Sequence, residues 1–444
     1  MGYKILSAPI GCQIELTSEC NNRCKHCYNY WREQDIPRMY LTKEQASYII
    51  QKLSSAHVFE VVLTGGEPLM NFDVLIATIK EAKACGMKVN LNSNLVPLNR
   101  QKAKILKENG INSILTSLMG HTAEVHDMIA QRKGAFDRAV ANILIAEEEG
   151  IHVTVNMVVS KANLLHIKDT ARFVASLGVK TFTATKAGCP GNCVDFSSLS
   201  LSREEFQMYL RDLKEAGEEC GLRVDFLEGY PICGLGDLSK YKDFLGRRCL
   251  AGVTTCTIAT DGTVRPCSRL DFSYGNIFEE NITDIWKKMI SWRDGSNLPP
   301  LCQKCKLARV CGGGCRMEAK MRSHGNISAI DPYVNEENVD NCRKVLDLMV
   351  EEKKQKGITT KEPFSFKVAD DLQWRAEKFG ATLFGDSMKT RMFLNHEGLE
   401  VFLQLHKGEV YTSDDSRILW GEVSPPDFLF ILLKKGGIKI LKRG

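Results

Sequence analysis

The distribution of cysteines constrains this chain more than any other feature of its sequence. The chain has 17 cysteines in 444 residues, and we see no export signal, so these thiols are expected in a reducing compartment. There, metal ligation is a better interpretation than disulfide pairing. Most of them fall into two arrays, one at residues 20–27 and one at residues 249–342. Such arrays predict metal centres that organise the surrounding chain.

Composition restricts the class of protein. At roughly 150 residues per domain, the length predicts about three domains. Apolar residues make up 43% and charged residues 25%, as in soluble globular proteins, which excludes a disordered or fibrous chain. The longest strongly apolar stretch, residues 428–433, is far shorter than the roughly 20 residues that cross a bilayer. We therefore expect a cytoplasmic protein that binds no membrane. The net charge of +5 is too small to favour nucleic acid as a partner.

The first half of the chain alternates between strand-like and helical patterns. Six β-rich runs begin near residues 13, 61, 88, 113, 153 and 181, and the segments between them place apolar residues at helical spacing. Six such units predict an α/β fold with a curved or barrel-like parallel sheet. The Cys-rich segment follows, and the last 80 or so residues have strand patches at 371–394 and helices near 396–406 and after Pro426. We expect domains at 1–230, 231–355 and 361–444.

The first array is Cys20, Cys24 and Cys27, spaced Cys-x3-Cys-x2-Cys directly after the first strand. Three thiolates on a four-iron cluster leave one iron open to a further ligand, as a catalytic zinc keeps one position open. Two alternatives remain at this point. The array could be a zinc site completed by His26 or by a partner, or a Cys-rich loop without metal.

A second motif, Gly65-Gly66-Glu67-Pro68, follows the second strand. The carboxyl ends of parallel barrel strands lie on one face, so this motif and the cysteine loop are expected at one rim. Glycines permit a close backbone approach, and a carboxylate there suits the ammonium group of a ligand. In isolation, the same string would be an ordinary turn.

The two motifs together resemble the leading signatures of the radical S-adenosylmethionine (SAM) superfamily. The resemblance implies a partial (βα)6 barrel in which Cys20, Cys24 and Cys27 hold a 4Fe–4S cluster and SAM chelates the open iron. Glu67 and the backbone of Gly65 and Gly66 would bind the SAM amino group. Further implied SAM contacts, for which ordinary turn and cap hydrogen bonds are the alternative, are His26, Asn92, Ser93, Asn94, Ser117 and Asn156.

Residues 117–137 are similar to the family's Ser-Leu-Asp-Gly and His-Asp-x-x-Arg segment but depart from it twice. Met119 replaces the aspartate, and Ala130 stands at the arginine position. In the family that arginine usually pairs with the SAM carboxylate. Either Arg132 replaces it here, or the contact is lost.

The second array reads Cys-x12-Gly-x4-Cys, then Cys-x2-Cys-x5-Cys-x3-Cys, then a distal cysteine. Its thiolates could bind zinc equally well by coordination chemistry alone. The long pattern resembles the SPASM domain of radical SAM maturases, which implies two auxiliary 4Fe–4S clusters and three clusters in total. One would be held by Cys249, Cys256, Cys267 and Cys315, and the other by Cys302, Cys305, Cys311 and Cys342. Fully ligated clusters of this kind suit electron relay.

Six cysteines remain outside these sets. Cys189 and Cys193 follow the sixth strand and could face the cavity, although unreactive loop thiols are the plainer interpretation. The other four are interpreted as structural: Cys12, Cys85, Cys220 and Cys233.

The C-terminal segment at 372–405 resembles a peptide-recognition domain similar to the chaperone of pyrroloquinoline quinone synthesis, a small α+β, winged-helix-like fold. Such domains add a leader-peptide strand to a sheet edge. A dimerisation or stabilising role is the alternative.

The resemblances imply a radical SAM oxidoreductase that modifies a ribosomally synthesised precursor peptide, with flavodoxin or ferredoxin as electron donor. A 5'-deoxyadenosyl radical would abstract hydrogen, and a thioether or carbon–carbon crosslink would form. Alternatives are sulfatase-maturase-like side-chain oxidation, modification of a cofactor precursor, or a non-catalytic iron–sulfur or zinc module. The segment 65–68 favours an enzyme, because a binding module needs no such rim.

Overall fold

The chain divides into two compact units in this computed structural model. One unit extends from Ala8 to Arg343, and the other combines Lys344–Gly444 with the N-terminal segment that ends at Ser7. The expected boundary near residue 230 lies inside the first unit, and the three-domain division stays a prediction. The structure describes residues 4–29, 37–189, 196–241, 244, 247–355, 363–388, 391–405 and 407–443.

A nine-stranded sheet is the centre of the first unit. Its order is β7-β6-β5-β4-β3-β2-β1-β8-β9, with every neighbouring pair parallel except the β8–β9 hairpin. The strands are β1 (Gly11–Glu15), β2 (Glu60–Thr64), β3 (Lys88–Asn92), β4 (Ser113–Ser117), β5 (His152–Val159), β6 (Thr181–Lys186), β7 (Arg223–Phe226), β8 (Thr255–Ile258) and β9 (Val264–Arg265). The six predicted strands are confirmed.

Helices fill the connections between the first seven strands. They are α1 (Lys43–Ser55), α2 (Phe72–Ala84), α3 (Arg100–Glu108), α4 (Ala123–Ala130), α5 (Ala135–Glu148), α6 (Ile167–Ser176) and α7 (Arg203–Cys220). Two of these helices begin with a capping box, formed by Thr42 and Gln45 at α1 and by Ser202 and Glu205 at α7. The alternation of strand and helix confirms the α/β fold.

The Cys-rich segment contributes β8 and β9 to the sheet and otherwise forms mostly short helices. These are α8 (Ile282–Lys288), α9 (Pro300–Lys304), α10 (Ala308–Cys311), α11 (Arg316–Arg322) and the longer α12 (Val339–Gln355). β8 pairs with β1, so this segment is hydrogen-bonded to the strand that leads into the first cysteine array. The sequence did not predict this pairing.

The second unit is an α+β structure with its own core. Two antiparallel sheets have the orders β14-β10-β15 and β11-β12-β13. Phe366, Leu372, Leu383, Phe402 and Leu432 belong to a single buried cluster. The elements are β10 (Phe364–Val368), β11 (Gln373–Glu377), β12 (Gly380–Phe384), β13 (Met392–Leu394), α13 (His396–Gln404), β14 (Tyr411–Thr412), α14 (Pro425–Lys435) and β15 (Ile438–Arg443).

Within the described ranges, no helix has both the length and the apolar character needed to cross a bilayer.

A buried ion pair connects the β8–β9 hairpin to β1. Nη2 of Arg265 on β9 donates to Oε1 of Glu15 at 2.7 Å, and both side chains are almost completely buried. Nη1 of Arg265 also donates to the Leu270 carbonyl at 3.1 Å. Removing one member of such a pair leaves the other charge buried without compensation.

We expect Arg265→Met to lower the opening free energy of the β1 amides by roughly 3 kcal/mol, because the Glu15 carboxylate loses its buried partner. Native-state hydrogen exchange measures this value. Arg100→Met is the matched control, since Arg100 pairs with Glu148 and Glu149 at the surface and should cost less than about 1 kcal/mol. Equal, small effects of the two substitutions would contradict the structural role of Arg265.

Candidate functional site

The loop after β1 brings the three thiols of the first array together. Cys20 is exposed at its surface, whereas Cys24 and Cys27 are half-buried. The protein around the Cys20 sulfur raises its pKa to about 12, and the nearby charges of Glu67, Cys24 and Cys27 add to this effect. Within the loop, the Cys27 amide donates to the Cys24 carbonyl at 3.1 Å and the Asn22 amide donates to the Cys20 sulfur at 3.5 Å. A metal that bound the three thiols would displace their protons.

The Gly-Gly-Glu segment is attached directly to the cysteine loop by its backbone. The amide of Gly66 donates to the Thr17 carbonyl and that of Glu67 to the Glu19 carbonyl, both at 2.7 Å. A Cβ on Gly65 would lie 2.4 Å from the Thr17 oxygen, and one on Gly66 would lie 2.1 Å from the Glu19 oxygen. The glycines are thus required by the chain itself, because the end of β2 lies against the backbone that leads into Cys20.

Glu67 is buried and bridges the ends of β2 and β3. Its Oε1 accepts from the Ser93 hydroxyl at 2.7 Å and from the Leu69 amide at 3.0 Å, and its Oε2 accepts from the Asn94 amide at 2.7 Å. Burial raises the pKa of Glu67 to about 7, although the hydrogen bonds from Ser93 and Asn94 oppose this shift. The carboxylate therefore positions the rim, and its contact with a SAM amino group stays a prediction.

The predicted polar contacts form two groups. Asn94 lies with the cysteine loop, since its Nδ2 donates to Oδ1 of Asn21 at 2.8 Å and lies 3.9 Å from the Cys20 sulfur. Ser117 and Asn156 are register partners on β4 and β5. The Oδ1 of Asn156 accepts from the hydroxyls of Thr183 and Thr185 on β6, at 3.1 and 2.8 Å, so the orientation of this amide is fixed.

The end of α4 supports the other side of the cysteine loop. The amides of Arg23 and Lys25 donate to the carbonyls of Ala130 and Ile129, at 3.1 and 2.9 Å. Ala130 belongs to a small buried cluster against which Cys24 packs. A small side chain at position 130 is therefore in van der Waals reach of the thiol loop.

Two more predicted residues have defined surroundings at this loop. Arg132 does reach it, because its Nη1 donates to the carbonyl of Asn21. His26, next to Cys27, is buried. At Met119, which replaces the family's aspartate, the contacts are made by the main chain. The amide of Met119 donates to Nδ1 of His126 at 3.2 Å, and its carbonyl accepts from Nδ2 of Asn163 at 2.9 Å.

Three of the four thiols predicted for the first auxiliary cluster lie together. Burial raises the pKa of Cys249 to about 12, with additional contributions from the thiols of Cys315 and Cys267. Cys256 has a different neighbour: its sulfur is buried in the sheet, 3.4 Å from the sulfur of Cys12 on β1. The assignment of Cys256 as the fourth ligand stays a prediction.

The guanidinium of Arg269 contacts this first auxiliary group. Nη2 of Arg269 donates to the sulfur of Cys315, and Nη1 donates to Oε1 of Glu318 at 3.0 Å. Nζ of Lys186, at the end of β6, lies 3.4 Å from the same Glu318 oxygen. The guanidinium also lies against Gly188, where a Cβ would overlap its Nη1. Lys186 and Arg269 hold the pKa of Glu318 below its usual range, against the effect of burial.

Cys233 lies near the thiols predicted for the second auxiliary cluster. Burial raises the pKa of Cys302 to about 12, and the thiols of Cys311, Cys233 and Cys305 contribute. The pKa of Cys342 is also raised to about 12, by burial first and then by Cys233 and Cys311. No motif in the sequence indicated Cys233, because it stands outside the spaced pattern.

The two loop cysteines after β6 remain without a shown role. Cys189 is buried in a small cluster with Ala187 and Phe196. Cys193 lies outside the described residues.

The donor sets fit iron–sulfur clusters. Soft thiolates in groups of three or four are the ligands that such clusters use, each bound to a different iron. Among the side chains that the structure describes, no three Cys, His, Asp or Glu residues converge closely enough to bind a single metal ion.

We expect Gly66→Ala to remove the barrel cluster, about four irons per chain, because its Cβ would displace the Glu19 backbone that leads to Cys20. Iron analysis after anaerobic reconstitution measures the loss, and SAM cleavage should stop with it. Gly11→Ala is the matched control in the same sheet, since the nearest atom to its Cβ is at 3.4 Å. Full iron content in the Gly66 variant would show that the loop tolerates the displacement.

Two family models match the chain, the radical SAM superfamily at residues 14–174 and the SPASM iron–sulfur cluster-binding domain at residues 249–306. The AdoMet-dependent heme synthase of Oleidesulfovibrio alaskensis is 26% identical over 68% of this chain and 81% of its own length. The PqqA peptide cyclase of Ruegeria pomeroyi is 26% identical over 73% of this chain and 87% of its own length.

The fold is similar to that of the solved protein SuiB of Streptococcus suis. SuiB bound to SAM has a TM-score of 0.61 and 17% identity, over 74% of this chain and 78% of SuiB. SuiB bound to its precursor peptide SuiA has a TM-score of 0.59 and 17% identity, over 74% of this chain and 76% of SuiB. At this identity the likeness concerns the fold. The two family matches identify this chain as an enzyme with a radical SAM domain and a SPASM iron–sulfur cluster-binding domain.

Proposed function

We propose that this enzyme oxidatively modifies a ribosomally synthesised precursor peptide by forming a thioether or carbon–carbon crosslink. The observation that carries the peptide assignment is the edge position of strand β11 in the sheet β11-β12-β13 of the second unit. Among the described strands, β11 pairs with β12, and Trp374 on it is 39% exposed. An extended leader peptide can add a strand at such an edge.

In the first unit, Cys20, Cys24 and Cys27 would hold the catalytic cluster. When bound, the cluster and SAM supply a 5'-deoxyadenosyl radical that abstracts hydrogen. Glu67, fixed by Ser93 and Asn94, would face the SAM amino group across the glycine backbone. Flavodoxin or ferredoxin would be the electron donor.

Other side chains would orient the remainder of SAM. Arg132 lies close enough to the cysteine loop to supply the cation that is missing at position 130. The amide of Asn156, whose oxygen is held by two threonine hydroxyls, would present its Nδ2 as a donor, with Ser117 beside it. His26 would lie beside the adenine.

The Cys-rich segment would hold two auxiliary clusters, for three in total. Cys249, Cys267 and Cys315 would bind the first, with Cys256 as the predicted fourth ligand, and Cys302, Cys305, Cys311 and Cys342 would bind the second. Arg269 places a positive charge against Cys315, which favours a more negative, reduced cluster at that position. These groups would accept the electron that crosslink formation releases.

A cofactor precursor is the second candidate substrate. The likeness to an AdoMet-dependent heme synthase over 68% of the chain supports it. Such a small molecule would not require the sheet edge of the second unit, so the two candidates differ in their dependence on that unit.

We expect the reconstituted enzyme, given SAM and a reductant, to convert a short peptide encoded beside its gene. The product should lose the mass of two hydrogen atoms for each crosslink, since one hydrogen goes to 5'-deoxyadenosine and a proton and an electron follow. High-resolution mass spectrometry detects this change. A porphyrin precursor of heme, the substrate class that the name of the heme synthase implies, is the parallel substrate. Its conversion without any change in the peptide would favour the second candidate.

Removing residues 361–444 should leave the iron content and uncoupled SAM cleavage intact. Peptide modification at low concentration should fall on the order of a hundredfold, because tethering no longer raises the local peptide concentration. A high concentration of core peptide should restore part of the rate.

A single-site version tests the same sheet edge in the full chain. Trp374→Ala should weaken peptide binding, measured by fluorescence anisotropy, whereas Leu419→Ala, at a residue 76% exposed in the same unit, should not. Unchanged binding in the Trp374 variant and an unchanged rate after truncation would rule out recognition by this unit.

A further inference from the structure

The short helical turn Ile232–Leu235 that follows β7 contacts the second auxiliary group, although it lies about 70 residues before the first cysteine predicted for that group. The amide of Ile232 donates to the sulfur of Cys311 at 3.3 Å. The sulfur of Cys342 donates to the carbonyl of Ile232 at 3.8 Å. Both peptide groups of Ile232 therefore contact the sulfurs of expected cluster ligands, and the next residue is Cys233.

The turn is fixed to the start of the helix that carries Cys342. Nδ2 of Asn338 donates to the carbonyls of Cys233 and Gly236, at 3.1 and 2.8 Å. On its other side Gly234 packs against the carbonyl of Tyr333, where a Cβ would lie 2.3 Å from the oxygen. Cys233 is thereby held close to Cys342, which is itself completely buried.

Cys233 is therefore a fifth cysteine beside the four that are predicted to bind the second auxiliary cluster, whereas that cluster has four irons to bind.

We propose that Cys233 is a fifth thiol of the second auxiliary site and can take the iron position of Cys342. The step is a ligand exchange without oxidation or reduction. The Cys233 thiol gives its proton to solvent and binds the iron, and the released Cys342 thiolate takes up a proton. The inference rests on the auxiliary clusters proposed above.

The test compares the variants Cys342→Ala, Cys233→Ala and the double variant in the full chain, reconstituted without oxygen. Each single variant should keep the iron of the wild type, because four thiols remain. The double variant leaves one iron of the cluster without a thiolate, so it should lose about one to four irons per chain. Cys342→Ala combined with Cys220→Ala is the matched control, and it should keep its iron. Cys220 stands at the opposite end of α7 from Gln207, the residue of that helix that donates to the Gly234 carbonyl.

Two further measurements keep the result decisive if the double variant folds poorly. Cys342→Ser should retain the electron paramagnetic resonance signal of an all-thiolate cluster, because Cys233 replaces the lost sulfur; a changed signal would indicate a serine oxygen ligand. Loss of iron from Cys342→Ala alone, or full iron in a folded double variant, would overturn the inference.

A last variant separates this inference from the proposed function. Cys302→Ala, Cys305→Ala and Cys311→Ala together leave two thiols and should lose about four irons. If it loses none, the second auxiliary cluster itself is absent and the function must be revised. If it loses them and Cys342→Ala does too, the cluster exists and only the exchange by Cys233 is wrong.

Discussion

The whole site depends on the contact between two stretches of backbone, Gly65–Glu67 and Thr17–Glu19. Two amide-to-carbonyl hydrogen bonds of 2.7 Å join them, and the absence of two Cβ atoms lets them approach so closely. Because of this contact, the loop that carries Cys20 has one position relative to β2. Glu67 then transfers that position to β3 through Ser93 and Asn94. The rim is thus defined by main-chain geometry before any cofactor binds.

A second set of contacts couples the barrel to the Cys-rich segment. Lys186 at the end of β6 and Arg269 near Cys267 share the carboxylate of Glu318 on α11. Removing such charges from water costs free energy of desolvation, and their mutual pairing offsets this cost. The first auxiliary group therefore lies in a network of fixed charges, and the second contacts the peptide groups of Ile232.

The sequence was sufficient for those parts of the fold that local patterns encode. The six βα strands have clear periodicity, and β11 to β13 with α13 are neighbours along the chain. Strands β7 to β9 were missed because they have only two to four residues, and β10 and β15 because they pair across some 70 residues. Spacing motifs likewise identified most of the thiols that lie together. Such motifs give positions along the chain and not distances in the fold. They could not show that Cys256 faces Cys12 or that Cys233 lies beside Cys342.

The pairing of β1 with β8 has a consequence for the synthesis of the protein. Cys12 and Cys256 are neighbours in this pairing although 244 residues separate them. At roughly 5–20 residues per second, a ribosome needs on the order of 10 to 50 s to make the chain between them. During that time β1 can pair with β2 on one side while its other edge stays open, and an open strand edge is a site of unwanted association. The first strand to leave the ribosome thus waits for one of the last strands of its sheet.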